Sequence, residues 1–155
     1  MTIIDAKLEF DDGATLSCSS GETNVSQNVI RVDALSATMK DAWGTEISPD
    51  IGEGNNGLVV NVQVATAFNA SNSFTAKIYH HTTSTFSAGT NMGELVFGSS
   101  GATSPANTAG TRKNFRLPSG SMDNYIGIQY SCVTGANGTG TVDAWLGLDT
   151  ETPST

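Results

Sequence analysis

Fifteen Asp and Glu against seven Lys and Arg give this 155-residue chain a formal charge of −8, the wrong balance for nucleic acid or an anionic membrane, which are bound mainly through clustered basic side chains. The length suits one domain with a sizeable core, and only 14% of residues are charged, so hydroxyls and amides must cover much of the surface. No stretch approaches the roughly 20 apolar residues of a membrane-spanning helix, and Met1 to Asp5 lacks the basic flank and apolar core of a secretion signal.

Residues 1–13 are polar and acidic, end in Asp11-Asp12-Gly13, and read as an N-terminal arm leading into a first short strand over Ala14 to Cys18. Ser19 to Glu22 is a turn, and Asn28 to Val32 has strand composition. From Asp33 to Gly44 the period changes: Leu35, Met39 and Trp43 recur at helical spacing, with Asp33 placed to cap and Gly44 to stop one short helix. Thr45 to Gly57 is a polar, Gly-rich loop.

The strongest signal follows. Leu58, Val60, Val62 and Val64 share one phase while Val59, Asn61, Gln63 and Ala65 share the other, the period-two mark of a half-buried strand. After the turn-forming Asn69 to Ser73, Phe74, Ala76 and Ile78 alternate with Thr75, Lys77 and Tyr79. The short polar link predicts that these two strands pair as neighbours in one antiparallel sheet. A Ser/Thr-rich connection over Thr82 to Thr90 leads to a brief strand at Glu94 to Phe97, then to a flexible loop at residues 98–110. Thr111, Lys113, Phe115 and Leu117 then alternate with Arg112, Asn114 and Arg116, a strand with a basic outer face that stops at Pro118-Ser119-Gly120. Ile126, Ile128, Tyr130 and Cys132 form one face of the next strand, Asn137-Gly138 suits a tight turn, and Val142, Ala144, Leu146 and Leu148 return, which predicts a terminal hairpin. Residues 150–155 are a tail.

About eight short strands and at most one short helix imply an all-β protein, an antiparallel β-sandwich of the jelly-roll type, in a single domain spanning 1–155. Cys18 and Cys132 lie far apart, without the spacing of a zinc or redox motif, and both fall on apolar phases. Two buried thiols are the simpler expectation, with a single disulfide as the alternative.

The chain offers little to catalysis. His80 and His81 are adjacent, so on a strand they point to opposite faces and cannot share a metal ion. The loop Asp50 to Gly57 has oxygen ligands for calcium but not the EF-hand spacing. No Gly-x-Ser-x-Gly elbow or phosphate-binding loop occurs, and nothing brings Asp123 and Asp143 together as a glycosidase pair. The expectation is therefore a non-enzyme without metal or cofactor. Trp43, Tyr79, Tyr125 and Trp145 could stack on sugars, which keeps a carbohydrate-binding or host-attachment module as the alternative.

Charge is unevenly placed. Residues 1–53 carry ten carboxylates and three bases, while residues 54–122 carry Glu94 against Lys77, Arg112, Lys113 and Arg116, a distribution that could make complementary surfaces between subunits.

Several pieces together resemble the small cement, or decoration, proteins that stabilise the capsids of tailed bacteriophages. They are Ile3-Ile4-Asp5 with Phe10-Asp11-Asp12, Asp50 to Gly54 leading into Leu58 to Phe68, Gly110-Thr111-Arg112 through Leu117-Pro118, and Tyr125 to Tyr130 with the closing Gly140 to Leu148. Asp33 to Thr45 is longer than that family's pattern. The resemblance implies a jelly-roll sandwich that trimerises on the outside of the virion and clamps neighbouring copies of the major capsid protein after synthesis in the host cytoplasm. It makes Asp5, Phe10, Asp11 and Asp12, opposite Arg112, Lys113 and Arg116, the expected capsid or subunit contacts.

Overall fold

The structure is a computed structural model and describes residues 8–18, 23–31, 58–68, 73–85, 89–98, 108–118, 123–132 and 138–148. The expected helix at Asp33 to Gly44, the tail, Asp5 and residues 1–7 of the expected arm lie outside the described residues. Nine strands are present among those described: β1 (Glu9–Ser17), β2 (Thr23–Val25), β3 (Ile30–Arg31), β4 (Leu58–Thr66), β5 (Phe74–His81), β6 (Thr90–Phe97), β7 (Arg112–Arg116), β8 (Tyr125–Cys132) and β9 (Thr139–Leu148).

They form two antiparallel sheets packed face to face, so the chain is an all-β sandwich. One sheet runs β1-β9-β4-β7; the other runs β2-β8-β5-β6, with the two-residue β3 also on β8. The pairing is nested: β1 with β9, β2 with β8, β4 with β7, and β5 with β6. Outer strands of the chain pair with outer strands and inner with inner, as in one long antiparallel ribbon rolled up on itself.

Alternation explains which side chains fill the space between the sheets. Val60, Val62 and Val64 of β4, Phe74, Ala76 and Ile78 of β5, Ile126, Ile128 and Tyr130 of β8, and Val142, Ala144 and Leu146 of β9 all join one buried cluster. Phe74 anchors it, stacked on Phe97 at 4.5 Å between ring centroids and tilted against Phe68 at 4.9 Å.

Two expected pairings are corrected. β4 and β5 do not pair with each other, and neither do β8 and β9: in each case the intervening segment carries the chain from one sheet to the other, so the strands face each other across the core. Both sheets bury one face, so both show the same alternation, and periodicity does not say which strands share a ladder. The local hairpin is β5 with β6, where Phe74 opposes Phe97 and Lys77 opposes Glu94, 3.6 Å apart as an ion pair.

The expected arm is also corrected in part. Residues 9–13 belong to β1, where a bulge shifts the register between Glu9 and Asp11 and again before Ala14. Two consecutive side chains, Phe10 and Asp11, are thereby buried, which simple alternation forbids. Gly13 ends the irregularity with φ 58°, and its N–H donates to Asp143 Oδ1 at 2.8 Å.

Cys18 and Cys132 form a disulfide rather than two thiols, with a Cα–Cα distance of 5.2 Å. The bond joins the end of β1 in one sheet to the end of β8 in the other.

Candidate interaction surface

The bulge that buries Asp11 makes it a tie between the sheets. Tyr130 Oη on β8 donates to Asp11 Oδ2 at 2.6 Å, and the Gln27 N–H, between β2 and β3, donates to Oδ1 at 2.8 Å. Beside it, the Asn28 N–H donates to Phe10 O at 2.9 Å. Burial pushes the Asp11 carboxyl above its ordinary value; the hydrogen bonds from Tyr130 and Gln27 oppose that shift, and the nearby Asp143 adds to it. Burial likewise pushes the Tyr130 hydroxyl well up, followed by the charge of Asp11. This arrangement is a buried, hydrogen-bonded brace with both carboxylate oxygens engaged, and it leaves Asp11 no surface to offer.

The opposite flank is closed differently. Lys113 on β7 reaches across to β6, donating from Nζ to Val96 O at 2.7 Å with its ammonium 5.7 Å from the Phe97 ring centroid. The Phe115 ring lies against Gly93 so closely that a Cβ there would overlap it.

The expected contact residues therefore separate. Phe10 and Asp11 are fully buried within the subunit, so as surface contacts they are corrected, and the bulge is the reason. Lys113 bridges the two sheets instead of joining the outer face of β7. Asp12 on β1, and Arg112 and Arg116 on β7, are exposed. β1 and β7 are the two lateral edges of the same sheet, so one edge is acidic, with Glu9 and Asp12, and the other is basic, with Arg112 and Arg116.

Between those edges runs the sheet's outer face. Register places Glu9, Trp145, Asn61 and Asn114 in one cross-strand row, Asp143, Gln63 and Arg112 in the next, and Gly147, Val59 and Arg116 on the other side. Val59 is buried there yet stands apart from the core cluster. Glu9 and Asn61 were not singled out from the sequence. The signal available for Asn61 was its place beside Gln63 on the second phase of a valine-rich run.

The remaining candidates are dispersed. His80 Nδ1 lies 3.0 Å from Asp123 Oδ2, at the end of β5 in the second sheet, while Asp143 engages Gly13 in the first; the two carboxylates serve different sheets. His81 turns away from His80 and accepts from the Thr83 N–H at 2.9 Å. Tyr125 sits beneath the Arg31 guanidinium, 6.0 Å from its centroid. Among the described residues no group of three or more His, Cys, Asp or Glu converges as a metal site. Trp43 and the loop Asp50 to Gly57 lie outside the described residues. No protein-family model matches the chain, and no curated protein is significantly similar to it.

Proposed function

We propose that this chain is a structural virion protein that binds the outer surface of a tailed-phage capsid as a homotrimer and stabilises the mature shell by bridging neighbouring capsomers. The observation that carries the reading is the opposite charge on the two edges of sheet β1-β9-β4-β7. A contact between unlike edges is heterologous, so it leads from one copy to the next and closes into a ring when the rotation allows. The nested strand pairing supports a jelly roll, the sandwich that recurs in viral shells, and the resemblance to cement proteins points the same way.

The mechanism is additive and non-catalytic. A protein that binds only the mature lattice contributes its binding free energy to that state, and a ring with several contact points does so with the gain of multivalency. The partner is the major capsid protein, contacted on its exterior.

The experiment is retention on purified mature shells followed by heating. Saturable occupancy and a higher rupture temperature are expected, with Asp12→Asn and Arg116→Gln lowering occupancy. Failure of the wild-type protein to remain on shells removes the reading.

A further inference from the structure

β6 is the last strand of sheet β2-β8-β5-β6, and among the described residues no strand pairs with its outer side. At the other end of that sheet β2 has only three residues, whereas β6 has eight and carries Leu95, Val96 and Phe97 in a row. The Val96 side chain is 51% exposed. A long apolar edge of this kind is a template on which a strand of another molecule can form.

The register fixes which backbone groups face that side. The Ser26 N–H donates to Ile128 O at 2.8 Å, so Ile128 turns its N–H and C=O away from β5. In an antiparallel ladder the residue opposite does likewise, so Ile78 turns its own groups toward β6. Alternation along β5 then turns Thr75 back to β8, and Val96, opposite Thr75, points its N–H and C=O outward, as does Glu94 two residues before it.

Lys113 reaches this edge from the other sheet. Its Nζ donates to the outward Val96 carbonyl at 2.7 Å, with the ammonium 5.7 Å from the Phe97 ring centroid. Earlier in β6 the register slips between Ile78 and Tyr79, which leaves Met92 as an extra residue and bends the strand. There Asn91 Oδ1 accepts the Gly93 N–H at 2.9 Å, and Asn91 Nδ2 donates to Glu94 Oε1 at 3.2 Å. A bulge and a lysine are both means of blunting a sheet edge, and here they act on the same strand. An antiparallel edge is self-complementary about a two-fold axis, so the partner that an uncovered Glu94–Val96 stretch fits is the same stretch of a second copy. We propose that Lys113 is an edge guard: by holding the outward Val96 carbonyl with a charged donor, it keeps β6 from pairing with β6 of another copy. Such pairing would have to expel the ammonium from its carbonyl or bury it in the contact, and a buried unpaired charge is costly. The proposal concerns the sheet opposite the charged edges and does not rest on the capsid reading.

The test compares the mass of full-length, oxidised wild type and Lys113→Met by light scattering over a concentration series. Methionine keeps an unbranched stem beside Phe97 but carries no donor. Lys113→Met is expected to reach about twice the wild-type mass or more as concentration rises, while Lys113→Arg, which keeps a charged donor, stays at the wild-type mass. Val96→Pro added to Lys113→Met should restore the wild-type mass, because proline removes an outward N–H and no ladder bond. The proposal is overturned if Lys113→Met keeps the wild-type mass at every concentration, or if its association survives Val96→Pro. Loss of the fold in Lys113→Met by far-UV circular dichroism would also overturn it, by making Lys113 a packing group. The reference is the wild-type mass itself, so the absence of a trimer would count against the capsid reading and leave this comparison intact.

Discussion

Reducing the Cys18–Cys132 bond tests how the two sheets are held together. The cysteines are 114 residues apart, so the bond closes a loop containing β2 through β8, most of the described fold. For a loop of that size, the chain-entropy relation gives a penalty of about 16 cal/mol/K on the unfolded chain, or about 4.8 kcal/mol at 25 °C. Both sulfur positions are buried, so thiols can stay packed after reduction and the loss falls mainly on the unfolded state. The whole domain is expected to have only about 5–15 kcal/mol of stability, so the reduced form should be folded but much weaker. Urea unfolding of oxidised protein, reduced protein and Cys18→Ala/Cys132→Ala, followed by tryptophan fluorescence and far-UV circular dichroism, measures this. The midpoint should fall steeply for both uncrosslinked forms. A difference below about 1 kcal/mol would show that the crosslink does not constrain the unfolded chain as the fold requires.

Tyr130→Phe leaves Asp11 Oδ2 buried without its donor and should cost about 1.5–3 kcal/mol by chemical denaturation; an unchanged midpoint would mean that the brace carries no load. Because burial raises the Asp11 carboxyl, the unfolded chain releases this proton first as pH rises. Its contribution is thus greatest below about pH 4, the ordinary carboxylate value, and declines through the raised folded value. The stability of wild type relative to Asp11→Asn should therefore fall between acid and neutral pH, and a flat or rising difference contradicts the assignment. Gly93→Ala drives a Cβ into the Phe115 ring and should cost about 1–3 kcal/mol, with partial recovery in Gly93→Ala/Phe115→Leu; absence of recovery would place the strain elsewhere.

The inward residues were legible because burial on one face leaves a period of two. Val60, Val62 and Val64, and equally Ile126, Ile128 and Tyr130, are buried as their phases predict. Pairing was not legible: β4 and β5 carry matching patterns because they line opposite walls of the same core, and a polar link serves a crossing between sheets as well as a hairpin. At Phe10 and Asp11 the bulge breaks the phase, so an acidic pair that reads as solvent-facing is half buried: Asp11 points into the core and Asp12 remains outside. The disulfide was hidden by the length of chain between its ends. Lys113 lies on the inward phase with Phe115 and Leu117, but only the juxtaposition of β6 and β7 shows what its ammonium reaches.

The opposed edges of sheet β1-β9-β4-β7 are the centre of the functional account, and the mass of the protein in solution tests them most directly. Light scattering at low salt should give about 48 kDa, three times the 16.0 kDa of one chain. Arg112→Glu/Arg116→Glu should dissociate the ring, and adding Glu9→Lys/Asp12→Lys to the same chain should restore it by exchanging the sign of both edges. A wild-type mass near 16 kDa, or a trimer indifferent to both charge exchanges, would contradict assembly through these edges.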